Sequence, residues 1–488
     1  MSFRVLFIYP NFRNESLIPP GIALLSRILK NNGIEVDLFD TSDYGVDLSK
    51  DHDRINERKL GVWPSEHRKL KYGGRDPWKD LNSKINSFQP NLIGLSCTES
   101  TFLLGVEAVK NIEHRDSREM PIILGGNLAV CAPERVLDFP EIDLVCAGEG
   151  ERTLLELCQK LEKGRSYRNV PGLCFRESSG AIRRNPPAPL VDLNQNPTDF
   201  DIGLFDPIRL VRPMRGKLYR TAPVETVRGC PYSCGFCNSA DSIVRKKSLA
   251  KVREELLWYK EKFAVEYMFF WADTFLGMSR REVDEFCEIY ADIRLPFWVQ
   301  TRIETITRWS LKKLQAVGLH RMAFGIENGD EVFRRNVICK SFSNEEAVRK
   351  LRIVADLGIS YNTNSIVGYP YETRAIAMKT VHLNRRFHGV DSLNCFNFTP
   401  YYGTSARAMA VAAGFMDEDQ IAGDSLEDSV LNMPGFPKDE ICGLSRCFSL
   451  YVRFPMSRWP EIRRAETDEE LFQKLQAEYR EMFFDPKV

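Results

Sequence analysis

A chain of 488 residues is too long for one hydrophobic core and points to about three domains of roughly 150 residues each. Lys plus Arg and Asp plus Glu both total 67, so no global field draws the chain to nucleic acid or to an anionic membrane surface. Thirteen scattered cysteines, an odd number, argue against a disulfide framework and for a reducing compartment; the short apolar run ending at Pro10 has no cleavage-site pattern and no apolar run reaches about 18 residues, so a cytoplasmic protein without an integral membrane segment is expected.

Residues 1–165 alternate short apolar runs with helical patterns, the mark of a parallel sheet wound on both sides. Val5 to Tyr9 is the first predicted strand. A helix beginning at Pro20 carries the stripe Ile22, Leu24, Leu25, Ile28 and Leu29 and stops at Asn32-Gly33, after which Ile34 to Phe39 returns as the second strand. The polar segment from Thr41 to about Asp76 lacks periodicity and reads as an insertion. Leu92 to Ser96, Ile122 to Leu124 and Ile142 to Cys146 are three further strands, with helices near 102–113, 132–138 and 150–163. Five strands in this rhythm make a flavodoxin-like, Rossmann-type α/β domain.

Such domains bind ligands at the carboxyl ends of their strands. The turns there hold Asn11, then Ser96 and Thr98, then Gly125, Gly126 and Asn127, then Gly148 and Glu149. Each glycine removes a side chain where a large ligand would meet backbone. Between 166 and 204 the pattern changes to a hairpin, Leu173 to Arg176 and Ala181 to Arg184, followed by a Pro-rich connector.

The third segment, 205–404, opens on Arg228-Gly229-Cys230-Pro231-Tyr232-Ser233-Cys234-Gly235-Phe236-Cys237-Asn238. Thiolates at these offsets can converge on one iron-sulfur cube, because turns at Gly229, Pro231 and Gly235 fold the loop around a small inorganic core. Three ligands leave one iron open. Zinc would need a fourth donor, for which Cys174 and Cys287 are the nearest cysteines and no His lies between His114 and His320. Three core cysteines would be the bland alternative, in a loop too rich in Gly and Pro to make good core.

The βα rhythm continues through strands at 223–228, 266–271, 296–301, 321–326, 360–367 and 393–399. Polar residues gather after them: Asp273-Thr274, Gln300-Thr301-Arg302, Gly325-Ile326-Glu327-Asn328-Gly329, Val367 to Thr373, and Thr399 to Thr404. Residues 405–488 are helical in pattern, with Phe448, Tyr451, Phe454 and Trp459 expected either to close the barrel mouth or to pack as a cap. Cys339, Cys395, Cys442 and Cys447 form no tight second motif and are expected in the core.

The cysteine loop resembles that of the radical S-adenosylmethionine (SAM) superfamily, a Cys-x-x-x-Cys-x-x-Cys loop with an aromatic before the last cysteine, matched by Cys230, Cys234, Phe236 and Cys237. The resemblance implies a [4Fe-4S] cluster whose open iron chelates SAM, and an electron that cleaves SAM to methionine and a 5'-deoxyadenosyl radical. It also implies that the six βα units form a partial (β/α)6 barrel. On this reading Asp273 and Glu327 are candidates for ribose hydroxyls or the SAM ammonium, Arg302 for the SAM carboxylate, and Gly325 and Gly368 for close backbone approach to adenosine. The charged residues could equally be rim salt bridges. The superfamily's Gly-Gly-Glu after the second strand is replaced by Ala272-Asp273-Thr274, so the SAM amino group is expected to be held differently.

Residues 3–163 and the strand-end motifs together resemble the branch whose radical SAM domain follows a cobalamin-binding domain. The Asp-x-His-x-x-Gly motif that gives cobalamin-dependent mutases a lower axial histidine is absent, so no protein His is expected on cobalt. The expected function is methylation of an unactivated carbon in a small molecule: one SAM methylates cob(I)alamin, and a second is cleaved to abstract hydrogen from substrate. An electron donor such as flavodoxin or ferredoxin is implied as partner. Ring formation or rearrangement, with cobalamin as electron carrier or absent, is the first alternative, and a non-catalytic cobalamin or iron-sulfur sensor the second.

Overall fold

The structure, a computed structural model, describes residues 2–12, 18–46, 71–113, 120–214, 217–423, 425 and 428–484. Most of the insertion read at 41–76 therefore lies outside the described residues, as do His52, His67 and His114. The fold divides into two compact units, one drawn from residues up to 212 together with 257–264, the other from the remaining residues beyond 212.

The first unit is built on a seven-stranded sheet of β1 (Arg4–Tyr9), β2 (Glu35–Asp40), β3 (Leu92–Ser96), β4 (Ile122–Gly125), β5 (Leu144–Cys146), β6 (Leu173–Arg176) and β7 (Ile182–Arg184). Their spatial order is β2-β1-β3-β4-β5-β6-β7. The first five run parallel in the flavodoxin-like order 2-1-3-4-5. Helices cover both faces of a sheet of this kind, which is why Val5 to Ile8 and Leu92 to Leu95 are continuous buried runs rather than alternating ones. The hairpin β6–β7 is more than part of a connector. It pairs antiparallel with β5 through Val145 and Cys174 and closes what would otherwise be an open sheet edge. A helix that the periodicity did not reveal spans Pro77–Phe88; Asp76 caps it by accepting from the Trp78 and Lys79 amides, with Pro77 at its first position.

The second unit carries β8 (Val211–Met214), β9 (Lys217–Glu225), the short ribbon β10 (Val227–Arg228) and β11 (Arg245–Lys246), and then β12 (Tyr267–Trp271), β13 (Phe297–Thr301), β14 (Leu319–Glu327), β15 (Ser360–Val367) and β16 (Val390–Asn397). From β9 through β12 to β16 six strands lie side by side in chain order, all parallel, with β8 at the edge. This is the partial (β/α)6 barrel, and it directs all six carboxyl ends to one rim. Phe270 of β12 fixes one wall to its helix: it packs on Phe275, Phe286, Tyr290 and Phe297, and helix Arg280–Tyr290 starts from a capping box between Ser279 and Glu282.

The tail forms helices Ser405–Ala412, Lys438–Arg453, Trp459–Ala465 and Glu469–Phe484. Of the two expectations for its aromatics, packing wins. Phe448, Tyr451 and Phe454 are buried, Tyr451 donates its hydroxyl to Glu466, and Ser445 and Ser449 tie helix Lys438–Arg453 to the backbone of β16. Cys447 is core, as expected, but Cys339 is exposed in a left-handed turn. No helix among the described residues is long and apolar enough to cross a membrane.

Candidate active site

The cysteine loop leaves the rim after β10 and is pinned on several sides. The Cys230 amide donates to Ser242 Oγ, the Ser242 amide returns a bond to the Cys230 carbonyl, and the Cys237 amide closes a turn on Cys234. The Gly235 amide donates to the Ile338 carbonyl, while Gly235 itself accepts from the Ala406 amide and Asn238 donates to the Tyr402 carbonyl at 2.7 Å. Both loop glycines are obligatory. A Cβ on Gly229, whose φ is +92°, would stand 2.3 Å from the Ile243 carbonyl oxygen, and one on Gly235 would stand 2.9 Å from that of Val337.

Arg302, after β13, reaches this loop rather than open space. Its guanidinium donates to Cys234 Sγ at 3.2 Å and to Glu304 at 2.6 Å, and lies 3.9 Å over the Tyr232 ring. A cation so placed gives the Cys234 sulfur a charge-assisted hydrogen bond. Burial pushes the Cys230 and Cys237 thiols up, with the charge of Asp273 adding to it, so without metal they are held as neutral thiols; a coordinated iron removes those protons outright. The Asp273 carboxyl is raised by desolvation, against a hydrogen bond from Ser239. Among the described residues no three His, Cys, Asp or Glu side chains converge on a single ion. In a cube each cysteine takes its own iron, so three side chains need not converge on one ion. Among the described residues, buried polar atoms without a hydrogen-bond partner also gather here: Arg302 Nε and the Tyr369 hydroxyl. These features fit a loop made to surround an additional polar group.

Glu327 sits at a bulge of β14 with φ +58°, unusual for a residue with a side chain. It forms a buried ion pair with Lys340 at 2.8 Å, and Lys340 also donates to the Gly325 carbonyl. The space beside Gly325 is taken by this pair: a Cβ would lie 2.1 Å from Glu327 Oε1. Gly368 likewise faces protein, since a Cβ there would lie 2.8 Å from Ile441, and its φ of +89° demands glycine. Both glycines thus pack closely against protein where a Cβ would stand. Phe236 meets Tyr369 edge-on, with centroids 6.2 Å apart.

Two residues of this rim escaped sequence reasoning. Lys340 comes from a loop with no motif, and nothing in the sequence marks it. Glu372 stood within the quoted Val367 to Thr373 motif but without a role; it is buried, accepts from the Gly368 and Tyr369 amides and from Asn328 Nδ2, and desolvation pushes its carboxyl up to about 8.

At the strand ends of the first unit the geometry differs. Gly125 and Gly148 face open space where a Cβ would point, and Ser96, Thr98 and Asn127 stand partly or fully exposed nearby along the ends of β3 and β4. Strand ends left open in this way leave room for a large flat macrocycle. Three of the expected contacts are committed elsewhere. Asn11 is buried and bonded to Thr41 and Ser42, Gly126 is glycine because a Cβ would lie 1.9 Å from the Cys97 carbonyl oxygen, and Glu149 accepts from the Val191 amide.

Comparison with known proteins agrees with both halves. The Radical SAM superfamily model matches residues 224–383 and the B12 binding domain model residues 66–158. An uncharacterized methyltransferase of Pyrococcus horikoshii is 26% identical over 386 residues, covering 77% of this chain and 82% of its own. The anaerobic magnesium-protoporphyrin IX monomethyl ester cyclase of Rubrivivax gelatinosus is 26% identical over 418 residues, covering 82% and 68%. A radical SAM methyltransferase from Kitasatospora setae, solved with cobalamin and a [4Fe-4S] cluster, superposes with a TM-score of 0.60 at 17% identity, covering 85% of this chain and 75% of that one. The protein is a radical SAM enzyme whose cofactors are a [4Fe-4S] cluster, SAM and cobalamin, and it belongs to the cobalamin (B12)-binding-domain-containing radical SAM enzyme family.

Proposed function

We propose that this enzyme transfers a methyl group to an unactivated carbon of a small-molecule biosynthetic intermediate. The observation that supports the reading is that one chain holds a three-cysteine loop pinned by backbone bonds, as a cluster would need, and strand-end glycines facing open space, as a corrin would need. When bound, the cluster with SAM supplies hydrogen abstraction and the corrin supplies the methyl group. The methyltransferase names among the relatives support this division of labour.

The chain's own part is to hold and orient. Cys230, Cys234 and Cys237 bind three irons, and Arg302 steadies the Cys234 thiolate. Phe236 offers an aromatic edge toward the adenosine side, Asp273 presents a carboxyl group to the polar groups of SAM, and Glu327, held by Lys340, shapes the rim beside them. Ser96, Thr98, Gly125, Asn127 and Gly148 line the corrin, and no histidine of this chain is assigned to its lower face. The working electron donor is a flavodoxin or ferredoxin, and the working compartment is the reducing cytoplasm, where thiols and cluster survive.

Product accounting tests the proposal. Anaerobic turnover with methyl-deuterated SAM, reductant, cobalamin and fractionated cell extract as the substrate source should give S-adenosylhomocysteine and 5'-deoxyadenosine in equal amounts, and a deuterated product. Substrate-dependent 5'-deoxyadenosine with neither S-adenosylhomocysteine nor deuterated product would replace methyl transfer by ring formation or rearrangement. Only traces of both nucleosides would indicate a sensor.

A further inference from the structure

Tyr369 is fully buried directly after the left-handed Gly368 at the carboxyl end of β15. Its ring is held by Phe236 of the cysteine loop at 6.2 Å, by Phe333 at 6.2 Å and by Phe398 at 4.8 Å between centroids. Three rings leave it little room to turn. Yet its hydroxyl finds no hydrogen-bond partner among the described residues. Leaving a buried hydroxyl unpaired costs about 1–3 kcal/mol, so a hydroxyl kept in such a place is expected to serve a group that arrives later.

The ionisable groups that bear on this hydroxyl are Glu327, Glu372, Cys234 and Cys237. Both carboxyl groups are already engaged, Glu327 by Lys340 and Glu372 by two backbone amides and Asn328. Phe236, which meets the Tyr369 ring edge-on, lies between Cys234 and Cys237, so the cysteine loop is packed against this tyrosine. When the loop carries its cluster, the acceptors there are thiolate sulfur and inorganic sulfide, and a neutral phenol can donate to either.

We propose that Tyr369 donates a hydrogen bond to the cluster on its Cys234–Cys237 side, as a positioning residue that raises the cluster's reduction potential. The inference rests on the assignment of the cluster to this loop. Reduction adds negative charge to the sulfurs, and a donor aimed at them stabilises the reduced form, as outer-shell donors do at other metal sites. Tyr369 would thus work beside Arg302, which brings a full charge to Cys234.

The test is Tyr369→Phe, which keeps the ring and removes only the hydroxyl. In reconstituted enzyme without SAM, iron content should match wild type, while a redox titration followed by electron-spin resonance should show a more negative midpoint. The expected fall in the reduced-to-oxidised ratio at a fixed potential is up to roughly tenfold, equivalent to about 59 mV for one electron. An unchanged midpoint with full iron would overturn the proposal, whether SAM affinity fell, which would assign the hydroxyl to SAM, or held, which would assign it to a buried water. Failure of the wild-type chain to bind a four-iron cluster would instead remove the underlying cluster assignment. Should Tyr369→Phe fail to fold, 3-fluorotyrosine at position 369 keeps the hydroxyl. A fluorine coupling to the reduced cluster in double-resonance spectra would then support the contact, and its absence would overturn it.

Discussion

Glycine means different things in the two units. Around the barrel rim the missing side chains are replaced by protein: the Ile243 carbonyl at Gly229, the Glu327–Lys340 pair at Gly325, and Ile441 at Gly368. At the strand ends of the first unit, Gly125 and Gly148 look into open space. On the proposed sites, the difference would follow from how the two cofactors are held. A cluster is held by covalent thiolate bonds, so its loop must be fixed in advance by backbone contacts. A corrin bound without a ligand from the chain is held by area, so its site must be left clear. Gly126 shows that the distinction is local, because it lies in the same turn as Gly125 yet packs on Cys97.

The largest effect that could break this comparison is steric. Gly229→Val sets a branched side chain against a backbone carbonyl at positive φ and should abolish cluster loading, whereas Gly148→Val should leave folding and iron content unchanged and reduce corrinoid retention on gel filtration. Equal loss of iron in both variants would erase the contrast. Next in size is the buried pair. Lys340→Met strands the Glu327 carboxylate and should cost about 3–5 kcal/mol in denaturant unfolding, much of it recovered in the Glu327→Gln, Lys340→Met double variant. If the single variant matched wild type, the pair would not be what shapes the bulge at Gly325.

A third prediction concerns pH. Burial pushes the Glu372 carboxyl up to about 8 in the folded protein from the usual Glu value of 4.5, so over that range the folded state binds a proton that the unfolded chain has released. Its contribution is fully present below the unfolded value and is lost as pH rises through about 8, on the order of a few kcal/mol in all. Thermal melts between pH 6 and 8.5 should fall in wild type and flatten in Glu372→Gln; parallel slopes would contradict the assignment. The smallest expected effect is that of Cys442→Ala, Cys447→Ala, which should leave iron content unchanged. A loss of about four irons would reveal a second cluster.

Much of this was legible in the sequence because it is written in local pattern. The parallel strands announce themselves as apolar runs, and the cysteine loop by spacing within eight residues. What escaped was either weakly periodic or non-local. Helix Pro77–Phe88 is largely polar, and its signal was the Asp76-Pro77 start rather than a stripe. Lys340 meets Glu327 only because a loop after β14 folds back over the rim. The reason for Gly325 and Gly368 was equally hidden, since a sequence tells that a side chain is missing but not what fills the space.

The most direct test of two separately built cofactor sites is a joint inventory of iron and corrinoid. Wild-type enzyme, reconstituted anaerobically and given hydroxocobalamin, should carry about four irons and one corrinoid per chain, and Cys230→Ala, Cys234→Ala and Cys237→Ala should each lose the cluster while keeping the corrinoid. Full iron in any one of those variants, or a wild-type chain that retains no corrinoid, would contradict the account.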